Sequence, residues 1–133
     1  MCSLYVAVVV AILCTFCGKV SAAENLREQV ARIAAYAERH GGGFTTEENY
    51  IVQLEHHVLN IRVPALIHVN GQRRNCSVVY SVNVNNQGRL DIVPDCDPKL
   101  SKDIARKFSN DSSQLFPRVI ERLLKMISRM EGI

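Results

Sequence analysis

CSVVYSVNVNNQGRLDIVPDC, residues 76 to 96, alternates apolar and polar side chains on both sides of a polar centre. Val78, Tyr80, Val82 and Val84 form one run, Leu90 and Ile92 the next, with Asn85-Asn86-Gln87-Gly88 between them. Period-two alternation broken by Asn and Gly predicts a β-hairpin. A three-residue loop, Asn86 to Gly88, puts Val84 opposite Leu90 and Val82 opposite Ile92 on one face, with Gly88 in the left-handed position. A two-residue loop at the same place would set Val84 against Arg89 and turn one strand inside out. One side of the hairpin is then apolar. The other carries Ser77, Val79, Ser81, Asn83, Arg89, Asp91 and Val93 and is mostly polar.

The cysteines at the two ends tie this stretch to a cellular compartment. Residues 3 to 16 are almost wholly apolar and Val20-Ser21-Ala22-Ala23 offers small residues for cleavage, the pattern of a signal peptide over 1–22. Its n-region lacks Lys and Arg, and the apolar run is shorter than the ~20 residues of a membrane-spanning helix. Removing it discards Cys2, Cys14 and Cys17 and leaves Cys76 and Cys96, an even pair in an exported chain, so a disulfide is expected. In the register above Cys96 faces Val78 and lies diagonal to Cys76, so the sulfurs meet only if the chain bends after Pro94. Secretion or a periplasmic location follows, with residues 23–133 as a single domain. The chain carries a formal net charge of +3, near +2 without Lys19, too mild to argue for nucleic acid or an acidic membrane.

Upstream, Asn25 to Arg39 has Leu26, Val30, Ile33, Ala34 and Ala37 at helical spacing, and Gly41-Gly42-Gly43 ends it. The glycines are also a hinge, which would leave residues 23–43 loosely attached. Thr45 with Glu48 fits a capping box, Phe44 a hydrophobic staple, and Ile51, Leu54, Val58 and Ile61 a buried helical stripe, so a second helix is expected up to Arg62 or Val63, where Pro64 stops it. Pro64 to Val69 is expected as a short edge strand or strand-like loop, because proline is excluded from sheet centres. Asn70-Gly71 turns the chain.

Downstream, Ser101 to Phe108 is a short helix with Ile104 and Phe108 as core contacts. Asn110-Asp111-Ser112-Ser113 is a capping cluster. A last helix runs from Leu115 or Pro117 to Met130 with Val119, Ile120, Leu123, Leu124 and Ile127 inward. The expected fold is α+β in two layers: an antiparallel hairpin of two or three strands packed against about four helices, with one disulfide.

No catalytic constellation emerges. His56 and His57 are adjacent, which on a helix points them ~100° apart, and His40 and His68 lie elsewhere. Asp91, Asp95 and Asp97 lack EF-hand spacing, so no metal and no cofactor is expected. GxSxG and phosphate-binding glycine loops are absent from the sequence, and both retained cysteines serve better as a bridge than as nucleophiles. Asn75-Cys76-Ser77 and Asn110-Asp111-Ser112 match the glycosylation sequon. The uncovered hairpin edge can accept a partner strand, and a basic row of Arg118, Arg122, Lys125 and Arg129 on the last helix can meet an acidic partner. The candidate partner-binding residues are therefore Ser77, Val79, Ser81, Arg89, Arg118, Arg122, Lys125 and Arg129.

From about residue 50 to 108 the order of signals resembles the C-terminal domain of TolA and TonB-like energy-transducing proteins. The similar pieces are YIVQLEHHVLNI, the proline of RVP, CSVVYSVNVNNQGRLDIVPDC and DPKLSKDIARKF. The resemblance implies an export compartment, an α+β fold, no catalysis, and strand addition by cell-envelope, phage or bacteriocin proteins. This chain departs from that pattern in placing Cys96 before the following helix, in ending on a helix, and in showing no long helical spacer. A free-standing protein-binding module, not an enzyme, is the leading expectation. The alternative is a secreted inhibitor of cystatin-like build or a host-directed effector, although the QxVxG and Pro-Trp elements of such inhibitors are not in this sequence.

Overall fold

The computed structural model describes residues 25 to 132; the expected signal peptide lies outside them. The elements are helix α1 (Leu26–Arg39), strands β1 (Gly43–Thr45), β2 (Ile51–Glu55), β3 (Val58–Val69), β4 (Gln72–Asn83) and β5 (Asn86–Asp95), then helices α2 (Lys102–Ser113) and α3 (Phe116–Met130). The strands form one antiparallel meander in sequence order. The result is an α+β fold with a five-stranded open sheet and three helices among the described residues. The expectation of a two- or three-stranded hairpin against about four helices is overturned.

The error lies between Thr45 and Val69. Ile51, Leu54, Val58 and Ile61 do recur at helical spacing, but Val52 and Leu54, then Leu59, Ile61, Val63, Ala65, Ile67 and Val69, recur at spacing two once a turn separates them. His56 and His57 are that turn. Both have positive φ (52° and 65°), which a two-residue hairpin loop between Glu55 and Val58 requires. Asn70 and Gly71, with φ of 52° and 77°, make the same kind of turn between β3 and β4. The expected capping box is instead the β1–β2 turn. There Thr46, buried, accepts the Tyr50 N–H on its Oγ1 at 3.1 Å, while Asn49 turns the chain at φ 65°.

Pro64 stands inside a twelve-residue strand, against expectation. The reason is geometric. Ladder hydrogen bonds alternate, and the pair closing the Asn70-Gly71 loop, Val69 with Gln72, is a bonded one. Odd-numbered residues of β3 therefore bond to β4, and even-numbered ones present their backbone groups to the β2 side. β2 begins at Ile51, opposite Arg62. Pro64 lies just beyond it, where its missing N–H meets no strand among the described residues.

The central hairpin keeps its faces but slides by two residues. Val82 pairs with Leu90, Tyr80 with Ile92 and Val78 with Pro94. An even slide leaves every side chain on its expected side. The cause is Asn83, whose Oδ1 accepts the N–H groups of Asn85 and Asn86 at 2.9 and 3.1 Å and closes the turn early, over Val84-Asn85. The ladder then shifts between Val82 and Asn83, and Gln87, Gly88 and Arg89 fall between their partners. Gly88 does not take the left-handed φ expected of it. The slide brings Cys76 directly opposite Cys96, with Cα atoms 4.5 Å apart and a disulfide between them, so no bend after Pro94 is needed.

Helices cover one face. Cross-strand rows Val52–Ile61–Tyr80–Ile92 and Leu54–Leu59–Val82–Leu90 meet Val30, Ile33 and Ala37 of α1 and Phe116, Ile120, Leu123, Met126 and Ile127 of α3 in a single core. α1 starts on a capping box in which Asn25 Oδ1 accepts the Glu28 N–H at 2.9 Å. α2 is longer than expected and absorbs the Asn110–Ser113 cluster. Its Ser109 hydroxyl donates to the Ile92 carbonyl at 2.8 Å, on the outer edge of β5. Phe108 packs inward as expected, but Ile104 is exposed. A smaller cluster of Ile67, Val69, Cys76 and Cys96, with Leu100 and Phe108, holds the far end.

Candidate protein-interaction surface

The sheet face opposite the helices carries three rows set by register: Ile51–Arg62–Val79–Val93, Gln53–Asn60–Ser81–Asp91, and Pro64–Ser77–Asp95. Ile51, Leu66 and Val93 on this face are exposed large apolar residues, Val93 at 57%. Arg62 reaches diagonally across β4 to Asp95, with its guanidinium 2.7 Å from the carboxylate, and the pair borders a cleft of about 420 Å³ lined also by Val79, Val93, Pro94 and Leu100. Both partners are about half exposed, so this is a surface ion pair of small energetic weight. The Ser81 hydroxyl donates to Asn60 Oδ1 beside it.

The edge of β3 is the second feature. Past Ile51 no strand among the described residues pairs with the β2 side of β3, and the alternation places there the carbonyls of Pro64, Leu66 and His68 and the N–H groups of Leu66 and His68. The side chains of all three are exposed. The opposite margin of the sheet is blunted differently. Pro94 offers no N–H there, and Ser109 already occupies the Ile92 carbonyl.

The sequence-chosen residues separate into groups. Ser77, Val79 and Ser81 do share the open face. Arg89 is exposed in the irregular part of β5. The basic row on α3 is not uniform. Arg122 bonds Glu48 at 2.7 Å, and Arg129 bonds Glu47 at 2.9 Å and approaches Glu48 at 3.6 Å, so these two clamp the β1–β2 turn to α3. The hydrogen bond from Arg122 to Glu48 and their charge attraction raise the already high pKa of that guanidinium. Burial raises the Tyr50 phenol above its ordinary value, with Arg122 pulling down and Glu48 pushing up. Burial also raises Tyr80, whose hydroxyl faces the Ser112 carbonyl at 3.5 Å, with Tyr50 adding to the effect. Arg118 and Lys125 are exposed.

Sequence reading missed Arg62, Leu66 and His68 as surface residues, because it took Arg62 for the end of a helix and placed the other two in a short edge strand or strand-like loop. The available signal was Asn70-Gly71 with alternating apolar residues on its N-terminal side, a strong hairpin signature. His56 and His57, weighed as ligands, are turn residues. Among the described residues no group of three or more His, Cys, Asp or Glu side chains is placed to hold a metal, and no helix is long and apolar enough to cross a membrane. Comparison of the chain with family models, curated proteins and solved structures finds no match.

Proposed function

We propose that this protein is an exported, non-enzymatic binding module that engages a protein partner along the β3 edge. The observation that carries the reading is the run from Pro64 to His68, whose β2-side backbone groups meet no strand among the described residues, on a long strand whose neighbour has already ended. An edge of this kind recognises extended chain through backbone hydrogen bonds, and flanking side chains supply selectivity. The signal-peptide pattern and the paired cysteines support an oxidising location, secreted or periplasmic. The resemblance of residues 50 to 108 to TolA-type domains supports cell-envelope, phage or bacteriocin proteins as the class of partner.

The test places a photo-crosslinking amino acid at position 66 or at position 118 and irradiates the protein in its own compartment. Specific adducts from 66 support strand addition, and adducts from 118 alone move the contact to the α3 face. No adduct from either site refutes the module.

A cystatin-like inhibitor is the second reading. It is favoured by one observation, a helix packed across an antiparallel meander next to a tight hairpin at His56-His57. Nanomolar inhibition of papain, lost on changing the His56-His57 turn, would establish it over the first.

A further inference from the structure

We infer that the β3 edge takes an acidic peptide, bound antiparallel to β3 in line with β2, with the pattern Asp or Glu, any residue, apolar. This rests on the strand-edge reading above and adds the chemistry of the partner. An incoming strand here meets two edge N–H donors, from Leu66 and His68, and three carbonyls, from Pro64, Leu66 and His68. Side chains opposite edge residues share their face. A residue opposite His68 therefore enters the open face beside His68, and His68 is itself paired with Arg73 on β4. Arg73 is exposed and makes no ion pair among the described residues. Two residues further along, the incoming side chain lies against Leu66, which is 48% exposed. Because the strand runs antiparallel to β3, the acidic position comes first and the apolar position second.

The charges near the edge leave this site positive. Asp95 is taken by Arg62. Glu47 and Glu48 are held by Arg122 and Arg129 on α3. On the other face, Arg74 donates to the Pro98 carbonyl at 2.8 Å, and the cleft that holds Asp111 is lined by both Lys107 and His68, so its one carboxylate faces a lysine there and Arg73 stays on the open face. A second copy of the chain fits poorly. Symmetric pairing about Leu66 sets each Pro64, which has no N–H, against His68 of the other copy, so the ladder lacks a donor at both ends of the pairing.

The experiment pans random octapeptides on phage against the purified, disulfide-linked full chain. Selected sequences are then synthesised for fluorescence anisotropy and for amide exchange at Leu66 and His68. The expected result is enrichment of the acidic–x–apolar pattern, binding that weakens with added salt, and slowed exchange at both amides. Leu66→Pro should weaken binding about tenfold by removing an edge donor, and Arg73→Glu should weaken it several-fold. Leu66→Pro removes no bond to β4, and far-UV circular dichroism with disulfide formation reports whether it folds. His68→Pro is the second variant should it not. Enriched peptides without acidic residues that still need the Leu66 donor would overturn the charge assignment and leave the module standing. Peptides that bind Leu66→Pro and His68→Pro equally well would overturn the edge site. Failure to enrich any peptide would overturn both the edge site and the module.

Discussion

Reducing the Cys76–Cys96 bridge should cost about 3 kcal/mol of folding stability. The two cysteines are 20 residues apart in sequence, and closing a loop of that size restricts the unfolded chain by roughly 3 kcal/mol at 25 °C. The folded state has little to gain from release, because the cysteines already face each other across the β4–β5 ladder. Ile67, Val69, Leu100 and Phe108 pack around the bridge and should hold the two thiols in place after reduction. The loss should therefore appear as a more expanded unfolded chain. The assay is urea unfolding followed by far-UV circular dichroism, with and without a phosphine reductant. With a slope of about 1–3 kcal/mol per molar urea, the midpoint should fall by about 1–3 M and the slope should steepen. The Cys76→Ala, Cys96→Ala double variant should match the reduced protein and ignore the reductant. A reduced midpoint within about 0.3 M of the oxidised one would refute the reasoning. So would a loss of amide protection confined to the β3–β4 tip while Ile61 and Leu123 stay protected, because the bridge would then act on local fraying only.

Three further outcomes follow from the core, the turns and the tyrosines. Ile61→Ala should destabilise by about 2–5 kcal/mol in denaturant titration, because Ile61 has no exposure and lies between Val52 and Tyr80 at the sheet centre. Gly71→Ala should cost about 1–2 kcal/mol, since its φ of 77° is strained for any residue with a Cβ. Gly88→Ala should stay within about 0.5 kcal/mol, because its φ is not left-handed and an added Cβ meets only the Asn86 side chain, at 3.6 Å; thermal melts of the pair separate the two turn readings. Tyr50 and Tyr80 have raised pKa values in the fold. Their contribution to stability is complete below the unfolded phenol value near 10 and is lost as pH rises through their folded values. Absorbance at 295 nm should show late tyrosinate formation coinciding with loss of structure above pH 10, and a melting temperature that holds level from pH 9 to 11 would contradict this.

How much could be read in advance depends on how far each segment's signals were local. α1 and α3 were legible because their apolar stripes are long and their ends marked, by Asn25 and the glycines for one and by Pro117 for the other. The faces of β4 and β5 were legible because alternation is insensitive to an even slide. The register was not, because the Asn83 side chain competes for the turn. On the candidate surface, Ser77, Val79 and Ser81 were legible as one face. That Arg122 and Arg129 pair with Glu48 and Glu47 was not legible, because those carboxylates lie 74 or more residues away.

By itself the sequence determined which residues of the central hairpin are apolar on one side, that two cysteines sit at its open end, and that amphipathic helices flank it. Those properties follow from periodicity and covalent spacing, which act over a few neighbouring residues. Only the tertiary structure decided that residues 51 to 69 form strands. Ile51, Leu54, Val58 and Ile61 satisfy a helix while Val52, Leu54, Leu59 and Ile61 satisfy a hairpin, and the choice falls to the ladder partners on β1 and β4. It also decided that Pro64 can stand within the sheet, because that depends on where β2 ends.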